Sequence, residues 1–505
     1  MKTPELKNLY IHFAFFSIAV IVRVILCSYL GLIELPDSET YELFALQVYN
    51  GLPITLPTRP LGYPLFISYI YNIFDSTDRT YVIYAQNFLG AFTYFIYYLI
   101  FRQFFKNRLT AAAAALCINL AGTFLIFERA ILSDFLSHFF ILIGAYLILK
   151  FFSSGKVYLM APLAIATFLA LIIRPTANIF LVLVFGFLSL QFLYRLIKKQ
   201  DGALNTAKAA ALYIAVFFAL NAGFQHYSEW KYGFKGEPVG VFGVNMLIKT
   251  AEYMDMDSDL QPELKREFKQ YRAELLQDYG QAWYANFLGG YKLIVNIRCE
   301  IPEDTKKQYL EVAASADSFY GSHAVGSDYF STHDLLRELQ CDINTADRIV
   351  LAIAKEAILS NPLDYVSSSI SNLGGYIKVK AWEYRLYSKQ ADRVGAYTLG
   401  SLIRGYGKIE TFMAKPAVAG LLTFLLAFGA LSYFVQEKNK EELFKIFFLA
   451  SFLITNYLML AFIVPHPVQR YKIPTLWIQF FLFIYFVPYS IRLVSKITGR
   501  KNSKS

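Results

Sequence analysis

Charged residues are scarce in this sequence. Aspartate, glutamate, lysine and arginine make up 17% of the 505 residues, whereas soluble globular proteins average about 25%. Apolar residues make up 56%, and the mean hydropathy is +0.39. This composition excludes an ordinary soluble protein and predicts an integral membrane protein. The apolar runs are long and do not alternate with polar residues, which favours membrane helices over a β-barrel.

Several familiar catalytic motifs are also missing. The sequence has no Walker loop, no GxGxxG fingerprint, no His-Glu-x-x-His, no CxxC pair and no GxSxG elbow. An ATP-driven pump is therefore not expected, and a transferred group must be activated by something other than a nucleotide. The net charge of +10 follows from the cytoplasmic bias of lysine and arginine in membrane proteins, so nucleic acid is not a predicted partner.

Cysteine is rare as well. Four cysteines are too few for a disulfide scaffold. Cys27 and Cys117 fall in apolar runs, where packing explains them. Cys299 and Cys341 fall in the large polar region, and an oxidising compartment would allow them to form a disulfide.

Long apolar runs are what the sequence does contain. A run of about twenty residues matches a hydrocarbon core of ~30 Å. Such runs predict an all-α polytopic membrane protein with about ten transmembrane helices, near residues 10–31, 80–101, 109–127, 130–150, 157–173, 175–196, 207–224, 415–435, 443–464 and 472–491. The loop lysines and arginines concentrate on the side that carries both termini, which places both termini in the cytoplasm and the opposite loops on the periplasmic or equivalent external side of the plasma (inner) membrane.

The polar regions divide the chain into three parts. Residues 1–224 form an N-terminal transmembrane module whose first external loop, 32–79, is long and amphipathic. Residues 225–412 form a mostly helical external domain, and 413–505 form the last spans and a basic cytoplasmic tail. Within the first loop, Tyr63–Phe74 is apolar but too short to span, which predicts a re-entrant or interfacial helix.

Two helices are predicted within the external domain. One covers Pro262–Tyr279. The other covers Ala346–Leu359, where apolar residues recur at helical spacing on one face. Thr345 is the expected cap of the second helix.

An acid and an arginine stand in the first external loop. Asp37 is the predicted general base, because a group transfer to a hydroxyl or amine needs a group that accepts the acceptor's proton. Its alternative role is to cap a helix that starts near Glu39. Arg59 opens the turn Arg59-Pro60-Leu61-Gly62-Tyr63-Pro64, and its guanidinium can bind a phosphate with two hydrogen bonds. Tyr63 is assigned to the same phosphate site, and the alternative for Arg59 is contact with lipid headgroups.

A second acid, Asp134, is predicted about one turn inside an apolar helix. An acid at that depth is costly and usually functional. Asp134 is therefore either a second catalytic carboxylate or, with Asp37, a ligand of a divalent metal. Under a structural alternative, Glu128 and Arg129 form a surface pair and Asp134 caps the helix.

Further basic groups recur at the predicted external helix ends. Arg174 begins an Arg-Pro turn, and His466, Arg470 and Tyr471 lie in a Pro-rich segment before the last span. Such groups can stabilise a departing phosphate, whose charge grows as its bond to the transferred group breaks. Contact with lipid headgroups is the alternative. The basic stretch 378–408 also points to a phosphate-bearing lipid partner.

Taken in order, these motifs resemble the GT-C superfamily of polyprenyl-phosphate-sugar-dependent glycosyltransferases, which includes protein O-mannosyltransferases and lipid A aminoarabinose transferases. The matching features are Asp37, the turn from Arg59 to Pro64, Asp134, Arg174-Pro175, Asn361-Pro362-Leu363 and Arg470-Tyr471 with Pro474. They are scattered over nearly the whole chain.

The resemblance implies an inverting transfer of a sugar from a polyprenyl-phosphate carrier to a glycan, lipid or protein acceptor on the external face. Asp37 takes the position of the family's catalytic acid, and Arg59 that of the residue contacting the lipid phosphate. A divalent cation is the one cofactor left open. The rival hypothesis is a transporter or flippase of lipid-linked glycans, which would place cationic groups inside the bundle and repeat one half of the chain in the other.

Overall fold

The structure is a computed structural model. It describes residues 3–33, 36–52, 59–199, 202–233, 242–279 apart from 255 and 257, parts of 289–310, 340–377 apart from 342, and 440–486 apart from 464–473 and 483. These residues are organised in helices and short turns, with one parallel β-bridge between Ile33 and Ala130. The helices, numbered here in chain order, are α1 Thr3–Leu30, α2 Pro36–Tyr49, α3 Gly62–Phe74, α4 Arg79–Phe101, α5 Arg108–Asn119, α6 Gly122–Phe127, α7 Ser133–Ser154, α8 Met160–Ile173, α9 Asn178–Ile197, α10 Ala203–Tyr232, α11 Phe242–Thr250, α12 Pro262–Tyr279, α13 Ile343–Ser360, α14 Pro362–Ile377, α15 Lys440–Ile463 and α16 Pro474–Phe486.

The predicted fold class is confirmed: the chain is an all-α polytopic membrane protein. Within the described ranges, five segments are long and apolar enough to cross a membrane: Tyr10–Ser28, Ser133–Ser154, Pro175–Ile197, Ala203–Tyr232 and Glu442–Leu460. Each coincides with a run predicted from hydropathy. The total of ten spans stays a prediction, and the run 415–435 lies outside the described residues.

One predicted span is wrong as a single helix. The run 109–127 divides into α5, which ends at Asn119, and α6, which begins at Gly122. The break has a polar cause. The Asn119 side chain donates to the Gly90 carbonyl oxygen at 2.8 Å, and its backbone oxygen accepts a hydrogen bond from Arg23 at 3.2 Å. Hydropathy alone does not register a buried asparagine that anchors a helix end.

Another predicted span is longer than expected. The run 207–224 continues without interruption to Tyr232 in α10. The predicted division between the transmembrane module and the external domain, at residue 225, falls inside this helix. The three-part organisation of the chain stays a prediction.

Within the predicted first external loop, two helices position the site. The stretch predicted over Tyr63–Phe74 is confirmed as a helix, α3. The preceding helix, α2, lies between two apolar cores. Its Tyr41 belongs to the core of the transmembrane bundle, whereas Leu43 and Phe44 pack in a second core with α11 and α13. The start of α2 is therefore held where the bundle meets the second core.

The region after α10 contains the second core. The helix predicted over Pro262–Tyr279 has those bounds in the structure. The next predicted helix begins earlier than expected, at Ile343, so Thr345 lies in its first turn and the prediction that it caps the helix is wrong. Cys299 and Cys341 form a disulfide, with their Cα atoms 4.6 Å apart.

Candidate active site

Asp37 and Arg59 form an ion pair at the start of α2. Arg59 Nη2 lies 2.6 Å from Asp37 Oδ1. Since α2 begins at Pro36, Asp37 lies in the first turn and not at the cap position before a helix starting near Glu39. A carboxylate there is favoured by the positive end of the helix dipole. The side chains are 27% exposed for Arg59 and 21% for Asp37, so a ligand arriving from outside can reach both.

Asp134 and Arg174 form a second ion pair, which is deeply buried. Asp134 lies in the first turn of α7, and Arg174 follows the last residue of α8. Arg174 Nη1 lies 2.6 Å from Asp134 Oδ2, and the side chains are 9% and 2% exposed respectively. The other oxygen, Asp134 Oδ1, is buried and has no hydrogen-bond partner among the described residues. A buried carboxylate oxygen without a donor is costly, which marks it as a position where a ligand can supply one.

Two hydroxyl groups connect the ion pairs. The Tyr41 hydroxyl and Ser133 Oγ are 2.8 Å apart, and Arg174 Nη1 is 3.4 Å from the same Ser133 oxygen. On the other side, Arg59 Cζ lies 5.3 Å from the centre of the Tyr41 ring, within cation–π range. The two acids and two arginines therefore belong to one network, with Tyr41 and Ser133 as its centre.

Neither central residue was predicted from the sequence. Tyr41 follows Asp37 by four positions on α2, so helical spacing puts both on one face. Ser133 directly precedes Asp134. Tyrosine and serine are common in membrane helices, and nothing in their residue type distinguishes these two from the others.

Tyr63 packs against Tyr41 and so supports this network. Its ring meets the Tyr41 ring edge-on, with the centres 5.0 Å apart. Its hydroxyl donates to Gln86 Oε1 at 2.9 Å, and Gln86 Nε2 donates to the Ala130 carbonyl oxygen at 2.9 Å. The Tyr63 side chain is fully buried. In the structure Tyr63 packs against the Tyr41 ring and donates to Gln86, and its contact with a lipid phosphate stays a prediction.

A close backbone approach couples the two arginine-bearing segments. Gly62, at the start of α3, lies so near the end of α8 that a Cβ built on it would be 2.7 Å from the carbonyl oxygen of Ile172. Only glycine fits there without a shift. This contact fixes the turn that carries Arg59 against the residues that precede Arg174.

The structural alternative, a surface pair of Glu128 and Arg129, is wrong. Both side chains are buried. Glu128 pairs instead with Arg23 of α1, at 2.6 Å and 2.7 Å, and Arg129 donates to the backbone oxygen of Gly31. Hydropathy placed Arg23 in the first span but gave no indication of its partner. These contacts belong to the interior of the bundle.

The remaining predicted site residues cannot be placed. His466, Arg470 and Tyr471 lie outside the described residues, as does the basic stretch 378–408. Their assigned contact with the donor phosphate stays a prediction.

The described residues form a poor metal site. They contain no group of three or more histidine, cysteine, aspartate or glutamate side chains that could hold a metal ion. Asp37 and Asp134, the two predicted ligands, are each engaged by an arginine at 2.6 Å. A guanidinium that already balances a carboxylate opposes the binding of a second cation. The chemistry of the site is therefore derived from the side chains of Asp37, Arg59, Asp134 and Arg174, without a metal ion.

Comparison with known proteins gives few matches. No family model matches the chain, and no curated protein matches it. Among solved structures, the chain is similar to the Archaeoglobus fulgidus oligosaccharyltransferase in the apo form, with 13% identity and a TM-score of 0.37 over 86% of this chain and 59% of that one. It is also similar to the same enzyme tethered through a disulfide to an acceptor peptide containing the NVT sequon, with 11% identity and a TM-score of 0.32 over 89% of this chain and 59% of that one.

This likeness is limited. The chain covers less than two thirds of the length of the solved enzyme. At these TM-scores the overlap carries no argument, and the functional case rests on the contacts within this chain.

Proposed function

We propose that the protein is an integral-membrane glycosyltransferase that moves a sugar from a polyprenyl-phosphate carrier to an acceptor on the external face of the membrane. The observation that carries the proposal is the joining of two acid–arginine pairs through Tyr41 and Ser133. Such a site offers carboxylates to accept a proton and guanidinium groups to hold a phosphate, which are the two requirements of this transfer.

Arg59 is the proposed phosphate ligand. It is part-exposed, and its guanidinium carbon lies over the Tyr41 ring. An arriving lipid phosphate offers the guanidinium two oxygens that it can bind with parallel hydrogen bonds. Exchange of Arg59 from Asp37 to the phosphate would place the donor in the site and free the Asp37 carboxylate in the same step.

Asp37 is the proposed general base. The acceptor oxygen or nitrogen forms a bond to the anomeric carbon while its proton passes to Asp37. The bond between that carbon and the phosphate oxygen breaks, and its electron pair leaves with the polyprenyl phosphate. Attack from the face opposite the phosphate inverts the anomeric configuration. The Asp37 side chain is more exposed than that of Asp134, which suits the entry of an acceptor from the aqueous side.

Asp134 is the proposed second carboxylate. Arg174 fixes its Oδ2, which leaves the buried Oδ1 to accept a hydrogen bond from a hydroxyl of the sugar or acceptor. That contact would orient the reacting atoms, and orientation is a large part of catalysis between two bound molecules. Arg174, buried beside it, would add to the positive potential around the leaving phosphate.

The external location of the site is part of the proposal. It is supported by the cytoplasmic bias of the loop cations. It is also supported by the Cys299–Cys341 disulfide, because disulfides persist in oxidising compartments. The second core, which contains this disulfide's Cys341 together with Leu43 and Phe44 of α2, would cover the site and select the acceptor.

Asp37→Asn tests the proposal. The full-length protein, in membranes, would be supplied with a panel of short-chain polyprenyl-phosphate monosaccharides, and released polyprenyl phosphate would be measured. Loss of a general base lowers turnover by about 10²–10⁴-fold, and donor affinity is expected to persist.

Asp75→Asn is the matched control, because Asp75 is exposed, belongs to the same loop and has a left-handed conformation that asparagine tolerates. Turnover at the wild-type level in Asp37→Asn would exclude Asp37 as the base, and lipid movement without release would favour a transporter.

A further inference from the structure

Helix α14 has three distinct faces. Tyr365, Ser368 and Ser369 are buried or half-buried against the protein. Leu363, Val366 and Ile370 are exposed, by 82%, 40% and 61% of their surface. These three apolar side chains fall within about 60° of one another around the helix axis, at 100° per residue. Large apolar side chains grouped on one exposed stripe usually indicate contact with an apolar partner.

The third face of α14 is polar. Asp364, Ser367 and Ser371 are exposed and lie together, next to the apolar stripe. A helix with this arrangement presents one stripe to an apolar medium and the adjacent stripe to water. That is the pattern of a helix lying in the plane of a membrane interface.

The packing of α14 places it at the level of the membrane edge. The Tyr365 hydroxyl donates to the carbonyl oxygen of Phe462 at 2.5 Å. Phe462 is in α15 and lies two residues beyond the apolar segment Glu442–Leu460. At 1.5 Å per residue, this carbonyl group is only about 3 Å past the end of that segment along its axis. A second anchor comes from Asn361, whose Nδ2 donates to the Tyr253 carbonyl oxygen at 2.9 Å.

We propose that α14 is an interfacial helix that seats the region after α10 on the bilayer, with Leu363, Val366 and Ile370 inserted among the lipid chains. Leu359, in the last turn of α13, is also exposed, by 81% of its surface. The partner is the lipid surface, because the anchoring residue Tyr365 joins α14 to the end of a membrane-length helix. The inference depends on membrane embedding and does not depend on the glycosyltransferase reaction.

Site-directed labelling tests this placement. The full-length protein, with Cys27 and Cys117 replaced by serine and the disulfide left intact, would receive one cysteine at position 363, 366 or 370. Matched variants would carry the cysteine at 364, 367 or 371 on the polar stripe. After spin labelling and reconstitution in phosphatidylcholine–phosphatidylglycerol vesicles, collisions with oxygen report lipid contact and collisions with a water-soluble nickel complex report water contact.

The expected result is a severalfold higher ratio of oxygen to nickel collisions at 363, 366 and 370 than at 364, 367 and 371. Equal ratios at all six positions would overturn the proposal. Low collision rates with both reagents at the apolar positions would also overturn it, because another protein segment or a second copy would then cover the stripe. Quenching by brominated lipid of the emission that Leu363→Trp adds to that of the four native tryptophans, compared with the same difference for Ser367→Trp, repeats the test without the cysteine substitutions.

Discussion

The protein buries an arginine–carboxylate pair in two different ways. Inside the bundle, Arg23 donates five hydrogen bonds, two to the Glu128 carboxylate and the rest to Asn119 and Ala19. In the candidate site, Arg174 binds one oxygen of Asp134, and the other oxygen has no donor among the described residues. The first pair is complete without a ligand and the second is not.

The difference shows that burial of a charge does not by itself identify a functional residue. Glu128 and Asp134 are six positions apart in the sequence, and both are buried, with 1% and 2% of their surface exposed. The Glu128 carboxylate also packs directly against Gly90, where a Cβ would come within 2.3 Å of it. Both carboxylate oxygens of Glu128 accept hydrogen bonds from protein donors, as expected for a group that holds helices together. Asp134 has one oxygen without a donor among the described residues, as expected for a group that binds a ligand.

The largest effect on stability is expected at the complete pair. Glu128→Ala leaves the Arg23 guanidinium buried without its counter-ion, which costs about 3–5 kcal/mol. Thermal unfolding in detergent would measure the loss, with Glu229→Ala, an exposed acid on α10, as the matched control. If Glu128→Ala folds with normal stability and only turnover falls, the division between a structural and a catalytic pair is wrong.

A smaller effect is expected at the centre of the site. Tyr41→Phe removes one hydrogen bond, to Ser133, and keeps the ring against Arg59. Loss of one such bond costs about 0.5–1.5 kcal/mol, so we expect turnover to fall by up to roughly tenfold while donor affinity stays near normal. Tyr49→Phe is the control, since Tyr49 lies on the same helix and contacts Tyr71 through its ring. Equal turnover in both variants would break the proposed link between the ion pairs.

The smallest effect on turnover is expected at a third ion pair. Arg79 binds Glu42 at 2.6 Å; the Arg79 side chain is 35% exposed, whereas that of Glu42 is 5% exposed. Removing the positive charge beside a buried carboxylate costs more than the ~0.2–1 kcal/mol of an ion pair open to water. Arg79→Gln should therefore lower the melting temperature clearly and leave turnover unchanged in the same assay. A clear fall in turnover would extend the active site to Glu42 and Arg79.

Much of this arrangement was predictable from the sequence. Composition and run length gave the fold class, and the bounds of the helix over Pro262–Tyr279 were correct. Asp37, Arg59, Asp134 and Arg174 stood out because charge at the edge of an apolar run is costly. That cost does not depend on the rest of the fold, which is why single residues could be identified.

The pairing of these residues was not predictable. Which arginine meets which acid depends on contacts between distant segments, such as the approach of Gly62 to Ile172. Tyr41 and Ser133 connect the pairs, yet neither residue type is unusual in a membrane helix. The break after Asn119 was missed for a similar reason, because it depends on a hydrogen bond to Arg23 from another helix.

The central claim, that the two acids act in one site, is tested most directly by a double-mutant cycle. Turnover would be measured for Asp37→Asn, Asp134→Asn and the double variant, with the donor panel described above. Residues that act as a unit have strongly non-additive effects. The account predicts that each single variant loses at least about 100-fold in turnover and that the double variant is little worse than the more damaged single one. A double loss equal to the product of the two single losses, or wild-type turnover in Asp134→Asn, would contradict it.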